Sequence, residues 1–184
     1  TQPGVVRDLP VGELLSTEIA AVRALVEGQT ALLHDDWATA ERKLLRATEL
    51  DADFAFAHYG LYQVRALRGE TQAALPSLTA AMNNLWRMPE RMQFLVKVEH
   101  FIANREMEKA YAVARMMTEQ YPDDLQGHAV RLQLQNMRND TDAAIATLRR
   151  VLELDPQQHE YLLEIGRLQD SRGAYEEALR TYSA

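Results

Sequence analysis

The stretch DTDAAIATLRRVLELDPQQ, residues 140–158, decides the fold, because its pattern returns along the whole chain. In this stretch Ala144 is followed four residues later by Leu148, a spacing that places both side chains on one face of a helix. Equivalent alanines recur at intervals of 34, 36, 34 and 34 residues. These five positions, called the repeat alanines below, are Ala40, Ala74, Ala110, Ala144 and Ala178. A fixed period in this range predicts a repeat protein rather than a fold without internal symmetry.

Each period is predicted to contain two helices. A residue five positions before each repeat alanine marks the turn between them, and most of these residues are turn formers. The turn residues are Asp35, Gly69, Arg105, Asn139 and Gly173. Pro122 and Pro156 follow the second helix of their periods, which a proline cannot continue. The alanines themselves allow two helices to approach closely, and a bulky neighbour then fills the adjoining space.

These features resemble tetratricopeptide repeats. Gly28 and Gly166 lie twelve residues before a repeat alanine, and the segment YLLEIGRLQDSRGAYEEALRTY, residues 161–182, follows the family pattern at Gly166, Ala178 and Tyr182. The resemblance implies an all-α fold, a right-handed superhelical solenoid of antiparallel helix pairs of the tetratricopeptide type. It covers a domain over residues 16–184, with units at about 21–54, 55–88, 91–124, 125–158 and an incomplete one at 159–184.

A second, weaker resemblance concerns the order of the units. Residues 21–61 followed by residues 87–124 are similar to repeat regions of large bacterial signalling and regulatory proteins, where such a region follows a Ser/Thr kinase, cyclase or winged-helix domain. The resemblance therefore implies that this chain is a piece of a longer protein, and the end of the sequence within a second helix leads to the same expectation. Residues 1–15 are expected to form a linker or a segment that docks on the repeats.

The second unit departs from the pattern at two places. Pro76 lies inside its second helix and is expected to kink that helix or delay its start. The 36-residue interval contains two additional residues near LWRMPE, residues 85–90, where we expect a local irregularity.

Composition excludes several classes of function. The net charge of −7 argues against nucleic acid, because contact with phosphates requires a basic surface. No apolar run approaches the roughly 20 residues that cross a bilayer, so membrane insertion is not expected. The chain has no cysteine, and because no basic and apolar leader is visible we expect no signal peptide. We expect a cytoplasmic protein, with a periplasmic or extracytoplasmic region of a larger protein as the alternative.

The sequence offers no candidate catalytic, cofactor-binding or metal-binding residue. It lacks a glycine-rich phosphate loop and a nucleophile elbow, and its five histidines have no second ligand at a persuasive metal spacing. The pair Asp124 and His128 is better explained as a contact at a helix start. We therefore expect a chain that is not an enzyme and needs no cofactor.

The first helices of the units provide the candidate binding surface, since in the family they line a concave groove. Three sets of equivalent positions run across them. The outer column contains Val22, Phe56 and Met92, the anchor column contains Leu25, Tyr59 and Leu95, and the amide column contains Gln29, Gln63, Glu99 and Gln133. An apolar stripe beside a row of hydrogen-bonding side chains suits a short peptide or an amphipathic helix.

The predicted groove residues are Leu25, Gln29, Phe56, Tyr59, Gln63, Met92, Leu95, Glu99 and Gln133, with Tyr59 as the strongest single candidate. The predicted function is a non-catalytic module that binds a protein or peptide partner, as a regulatory region of a larger bacterial signalling protein. One alternative is an oligomerising scaffold, a homo-oligomer formed through the groove or through an uncapped C-terminal helix. Another is a helical domain that shapes an enzyme active site.

Overall fold

The structure is a computed structural model, and it describes residues 16–183. Over that range it contains ten α-helices, one short 3-10 helix and no β-strand. The helices are α1 (Ile19–Leu33), α2 (Trp37–Leu50), α3 (Ala55–Leu67), α4 (Thr71–Asn83), α5 (Glu90–Ala103), α6 (Met107–Gln120), α7 (Leu125–Met137), α8 (Thr141–Leu154), α9 (His159–Ser171) and α10 (Tyr175–Tyr182). The linker or docking segment expected at residues 1–15 lies outside the described residues.

The turns within the helix pairs adopt one backbone geometry. The residue five positions before each repeat alanine has a positive φ, between 56° and 81°, in all five pairs. Each second helix then begins three residues before its repeat alanine. Two of these helices are capped by an aspartate, since Asp36 accepts a hydrogen bond from the backbone N–H of Thr39 and Asp140 from that of Ala143.

The second helix of the second pair is not delayed by its internal proline. Helix α4 begins at Thr71, the position equivalent to the start of the other second helices, and continues through Pro76 to Asn83. The expectation of a delayed start was therefore wrong. Pro76 is exposed, so water can satisfy the carbonyl that its missing N–H leaves free. The irregularity expected after this helix is present as the 3-10 helix Leu85–Arg87.

The repeat alanines are at the centre of the helix contacts. All five are fully buried or nearly so, as the alanine pattern predicted. In the first pair, Leu44 fills the space beside Gly28, because a Cβ atom at Gly28 would lie only 2.8 Å from Leu44 Cγ. Small side chains at these points thus set the distance between helices.

The described chain divides into two compact units. The first ends at Asn104 and contains α1–α5, and the second begins at Arg105 and contains α6–α10. Within the first unit, Asp51 at the end of α2 pairs with Arg87 of the 3-10 helix and also accepts a hydrogen bond of 2.6 Å from the Ser16 hydroxyl. This cluster holds the additional residues of the second pair against the first pair.

In the second unit, successive helix pairs are joined by ion pairs at equivalent positions. Arg138 at the end of α7 pairs with Glu108 of α6 at 3.2 Å, and Arg172 at the end of α9 pairs with Asp142 of α8. In each case the arginine lies six residues before its repeat alanine, and the carboxylate lies two residues before the preceding repeat alanine. The contact between pairs is therefore itself a repeated feature.

Candidate binding surface on the first helices

The anchor column lies in the interior of the first unit. Leu25, Tyr59 and Leu95 are 4, 7 and 3% exposed. Leu25 packs in the cluster around Leu44, and Tyr59 packs in a cluster with Leu78 of α4. These three residues therefore support the first-helix face from beneath and present little apolar surface to a partner.

The outer column is half-buried. Val22 packs against the cluster that contains Leu25, and Met92 packs against the cluster that contains Tyr59. Phe56 lies between them and contacts both clusters. Each of the three keeps part of its apolar surface accessible.

The amide column is the more accessible part of the predicted surface. Gln29 is exposed, whereas Gln63 and Glu99 are half-buried. The Tyr62 hydroxyl donates a hydrogen bond of 2.7 Å to Glu99 Oε2 and thereby ties α3 to α5. Gln133, the fourth member, is exposed on α7 of the second unit.

Two tyrosines of α3, Tyr59 and Tyr62, lie beside the amide column. The rings of Tyr59 and Tyr62 stack with their centroids 6.0 Å apart. Burial raises the pKa of Tyr59 to about 12, the negative charge of Glu99 adds to this, and the neighbouring side chain of Gln63 opposes it. Burial and Glu99 also hold the pKa of Tyr62 above its ordinary value. Both hydroxyls therefore stay protonated at neutral pH.

Sequence reasoning missed two largely exposed apolar residues of this face. Leu33 and Leu67, here called the rim leucines, are 83 and 61% exposed. Each lies four residues after a member of the amide column, Gln29 and Gln63 respectively, so each lies one turn further along the same helix face. The rim leucines could have been recognised in the sequence, because they occupy equivalent positions of the first two units. The residues predicted as anchors were instead those of the anchor column, which is buried.

The arrangement can hold a ligand by apolar contact and hydrogen bonding. Exposed leucines flank amide and carboxylate groups that accept hydrogen bonds, and the amides also donate. The structure shows no group of three or more potential metal ligands among residues 16–183. None of the helices in this range is both long enough and apolar enough to span a bilayer.

Comparison with solved structures assigns the fold. MamA from Desulfovibrio magneticus RS-1, residue 41 to its end, superposes with a TM-score of 0.71 over 91% of this chain and 94% of MamA, at 14% sequence identity. The protein YrrB, described as a tetratricopeptide-repeat (TPR) protein with an unusual peptide-binding site, superposes with a TM-score of 0.63 over 88% of this chain and 82% of YrrB, at 17% identity. The fold is that of a TPR protein.

The predicted fold class, all-α with helix pairs of the TPR type, is therefore confirmed. A MamA structure from MSR-1 shows the same TPR fold, with a TM-score of 0.68 over 90% of this chain and 94% of MamA, at 16% identity. No protein-family model and no curated protein matches the sequence. At this level of identity the likeness extends to the fold, and function must be argued from the surface itself.

Proposed function

We propose that this chain is a non-catalytic protein-interaction module that binds a peptide or helix on the first-helix face of its first unit. The observation that carries the proposal is the exposure of the rim leucines beside the amide column. Leucines that are more than half exposed and aligned with hydrogen-bonding side chains are typical of a surface that another chain covers. The peptide-binding site named for YrrB, which has the same fold, supports the proposal.

The buried columns have a supporting role in this proposal. Tyr62 donates a hydrogen bond to Glu99, and the Tyr59 ring stacks on Tyr62. The bond orients one member of the amide column before a partner arrives, which lowers the entropic cost of binding. The predicted groove residues thus act in two ways, with Leu25, Tyr59 and Leu95 beneath the surface and Gln29, Phe56, Gln63, Met92 and Glu99 on it.

The wider context is also a proposal. The order of the units resembles repeat regions of bacterial signalling proteins, which supports a regulatory role beside another domain, in the cytoplasm or in an extracytoplasmic region of such a protein. The net charge of −7 supports protein or peptide partners rather than nucleic acid. Self-association through the groove or through α10 is the alternative, and a helical domain that shapes an active site is a further one.

A peptide-display selection on the whole chain tests the binding proposal. Peptides that bind the wild-type chain should bind the variants Leu33→Ser and Leu67→Ser about tenfold more weakly, because burying a leucine side chain contributes about 1.5–3 kcal/mol. The control is Leu45→Ser, an apolar residue of α2 that is also partly exposed but lies outside this face. Peptides that lose affinity for the control but not for the rim-leucine variants would assign binding to the second helices and refute the proposal.

A further inference from the structure

A groove lies between the second helices α8 and α10 of the second unit, with α9 as its floor. This α8–α10 groove has a volume of about 530 Å³. Its apolar surface comes from Leu152 of α8 and from Leu162 and Ile165 of α9. Arg149 of α8 and Arg180 of α10 border it, one on each wall, and both arginines are exposed. The groove therefore offers apolar surface between two accessible cations.

The residues of the preceding pair show that the apolar floor is particular to this groove. Counted from the repeat alanines, the equivalents of Ile165 and Leu152 are Arg131 and Thr118. Arg131 Nη1 donates a hydrogen bond of 2.9 Å to the Thr118 hydroxyl, so two polar side chains meet there. Ile165 is shorter than an arginine and packs in the apolar cluster with Ile145. The same position thus supplies a polar contact in one pair and an apolar floor in the next.

Arg149 has no carboxylate partner among residues 16–183. Its equivalent in the preceding pair, Arg115, pairs with Glu119 four residues later, at 3.5 Å. The carboxylate at the corresponding position beside Arg149 is that of Glu153, which pairs with Arg150 at 2.9 Å instead. The guanidinium group of Arg149 is therefore left for another anion.

Arg180 on the opposite wall is also without a carboxylate partner in the part of the chain that the structure describes. Its Nε donates a hydrogen bond of 3.2 Å to the backbone carbonyl oxygen of Glu176. Both arginines also border an adjoining cavity of about 480 Å³, and the carboxylate there, Glu177, pairs with Arg172 at 2.7 Å. Since the carboxylates beside the groove each have an arginine of their own, two guanidinium groups stay available to an added carboxylate.

We propose that the α8–α10 groove holds an acidic amphipathic segment of a protein partner. An apolar side chain of the segment lies on the apolar floor, and a neighbouring carboxylate lies between Arg149 and Arg180. The planar donors of a guanidinium group match the two oxygens of a carboxylate, and the floor favours a carboxylate with an apolar neighbour. On a helix, a leucine and a glutamate four residues apart lie on one face, so a single amphipathic helix presents both groups.

The open shape of the groove favours a protein segment over a free carboxylate. Small-molecule sites enclose most of the surface of their ligand. The α8–α10 groove is bordered by exposed side chains and covers one side of what it holds, which suits side chains that project from a larger partner. The groove lies on the second helices of the second unit. The inference is therefore independent of the peptide site proposed on the first helices of the first unit.

Titration of the full chain, followed by ¹H–¹⁵N NMR spectra, tests this proposal. The probe is a helix of about 15 residues, based on alanine and glutamine, with one leucine and one glutamate four residues later. It is added up to about 5 mM, the range of weak binding. Signals of the groove residues should shift and reach saturation. Matched probes with glutamine in place of the glutamate, or alanine in place of the leucine, should each bind about tenfold more weakly.

The variants Arg149→Gln and Arg180→Gln each remove one cation at an exposed position, so the fold should be retained. Each should weaken binding of the glutamate probe about tenfold and leave binding of the glutamine probe unchanged. Arg115→Gln is the matched control, because Arg115 is the exposed equivalent of Arg149 in the preceding pair. This control should bind the glutamate probe as the wild type does.

A glutamate probe that shifts no groove signal, or a glutamine probe that binds equally well, would overturn the proposal. Shifts confined to α3 around Leu67 would assign the probe to the first-helix face of the first unit and would also overturn it. Sodium octanoate distinguishes the remaining occupant. If it saturates the same signals at lower concentration than the probe helix, the groove is a site for free amphiphilic carboxylates and the proposed protein segment is wrong. None of these results changes the binding of peptides selected on the first-helix face, so the two proposals fail separately.

Discussion

Arg87 donates two hydrogen bonds to the carboxylate of Asp51, one of 2.9 Å from Nη1 to Oδ1 and one of 2.7 Å from Nη2 to Oδ2. The two side chains are largely buried, and they join the end of α2 to the 3-10 helix after α4. Geometry of this kind is among the strongest available to an ion pair. It also makes the stability of the first unit depend on the charge of one carboxylate.

The variant Asp51→Asn should lower the free energy of unfolding at pH 7 by about 1.5–3 kcal/mol, the range for a hydrogen bond to a charged group. The bonds from Arg87 and Ser16 hold the pKa of Asp51 at about 2, below its ordinary value of 3.8. A lowered pKa means that this stabilisation is present above about pH 4 and is lost as the pH falls toward 2. Denaturant titrations at pH 7 and in this acid range measure both effects. Glu49→Gln, which breaks the exposed pair with Arg46, is the control and should cost at most about 0.5 kcal/mol.

Alkaline pH should destabilise the first unit through its buried tyrosines. The pKa of Tyr59 is raised to about 12, so the folded chain binds this proton more tightly than the unfolded chain does. The stabilisation is complete below pH 10 and is lost as the pH rises from 10 toward 12. Tyr59→Phe should flatten this part of the stability curve, whereas the exposed Tyr175→Phe should leave it unchanged. Ultraviolet titration of tyrosinate checks the cause, and ionisation of Tyr59 together with the exposed tyrosines would contradict it.

Replacement of a repeat alanine by a larger residue should lower the free energy of unfolding. Ala144 is fully buried, so Ala144→Leu should lower the free energy of unfolding by about 1–3 kcal/mol. Ala146 lies two residues further along α8 and is exposed, and Ala146→Leu provides the matched control in the same helix. Thermal and chemical unfolding of the two variants measure the difference. Equal stability of the two would mean that the alanine column does not set the helix contacts.

The effect of replacing a helical glycine by alanine should also depend on the space around the glycine. Gly28→Ala brings a Cβ atom to 2.8 Å from Leu44 Cγ and 3.3 Å from the Ala40 carbonyl oxygen, so neighbouring atoms must move. At Gly127 the nearest atoms are 3.4 Å away, which is ordinary contact. Gly127→Ala should therefore be neutral or stabilising by up to about 1 kcal/mol, since alanine favours the helix. We expect Gly28→Ala to be less stable than Gly127→Ala by at least about 1 kcal/mol, and the reverse order would contradict the close packing at Leu44.

Local features of the fold could be predicted from the sequence because they depend on single residues. A repeat alanine marks a close helix contact wherever it occurs, and Asn139 or Gly173 marks a turn regardless of distant neighbours. Exposure could not be predicted in the same way, because it depends on side chains far away in the chain. Tyr59 is buried by residues of α4 and α5, whereas Leu67, two turns further along the same helix, is exposed.

The irregular second pair gives another example of burial that the sequence does not predict. Val26 and Val96 occupy equivalent positions by sequence, yet Val26 is exposed and Val96 is fully buried. Val96 packs with Leu78 of α4 and with Met88, which follows the 3-10 helix. The segment with the two additional residues thus places Met88 against Val96, a contact that the repeat pattern of the sequence does not predict.

The turns with positive φ carry a consequence for how the repeat is specified. Asp, Gly, Arg, Asn and Gly occupy the same left-handed position in successive pairs, although a residue other than glycine is disfavoured there by about 1–2 kcal/mol. The amino acid at this position therefore differs between pairs while the backbone angle stays the same. What the five pairs share here is a path of the main chain rather than a residue type, so a substitution at one of these turns is tolerated wherever the new side chain can adopt that angle.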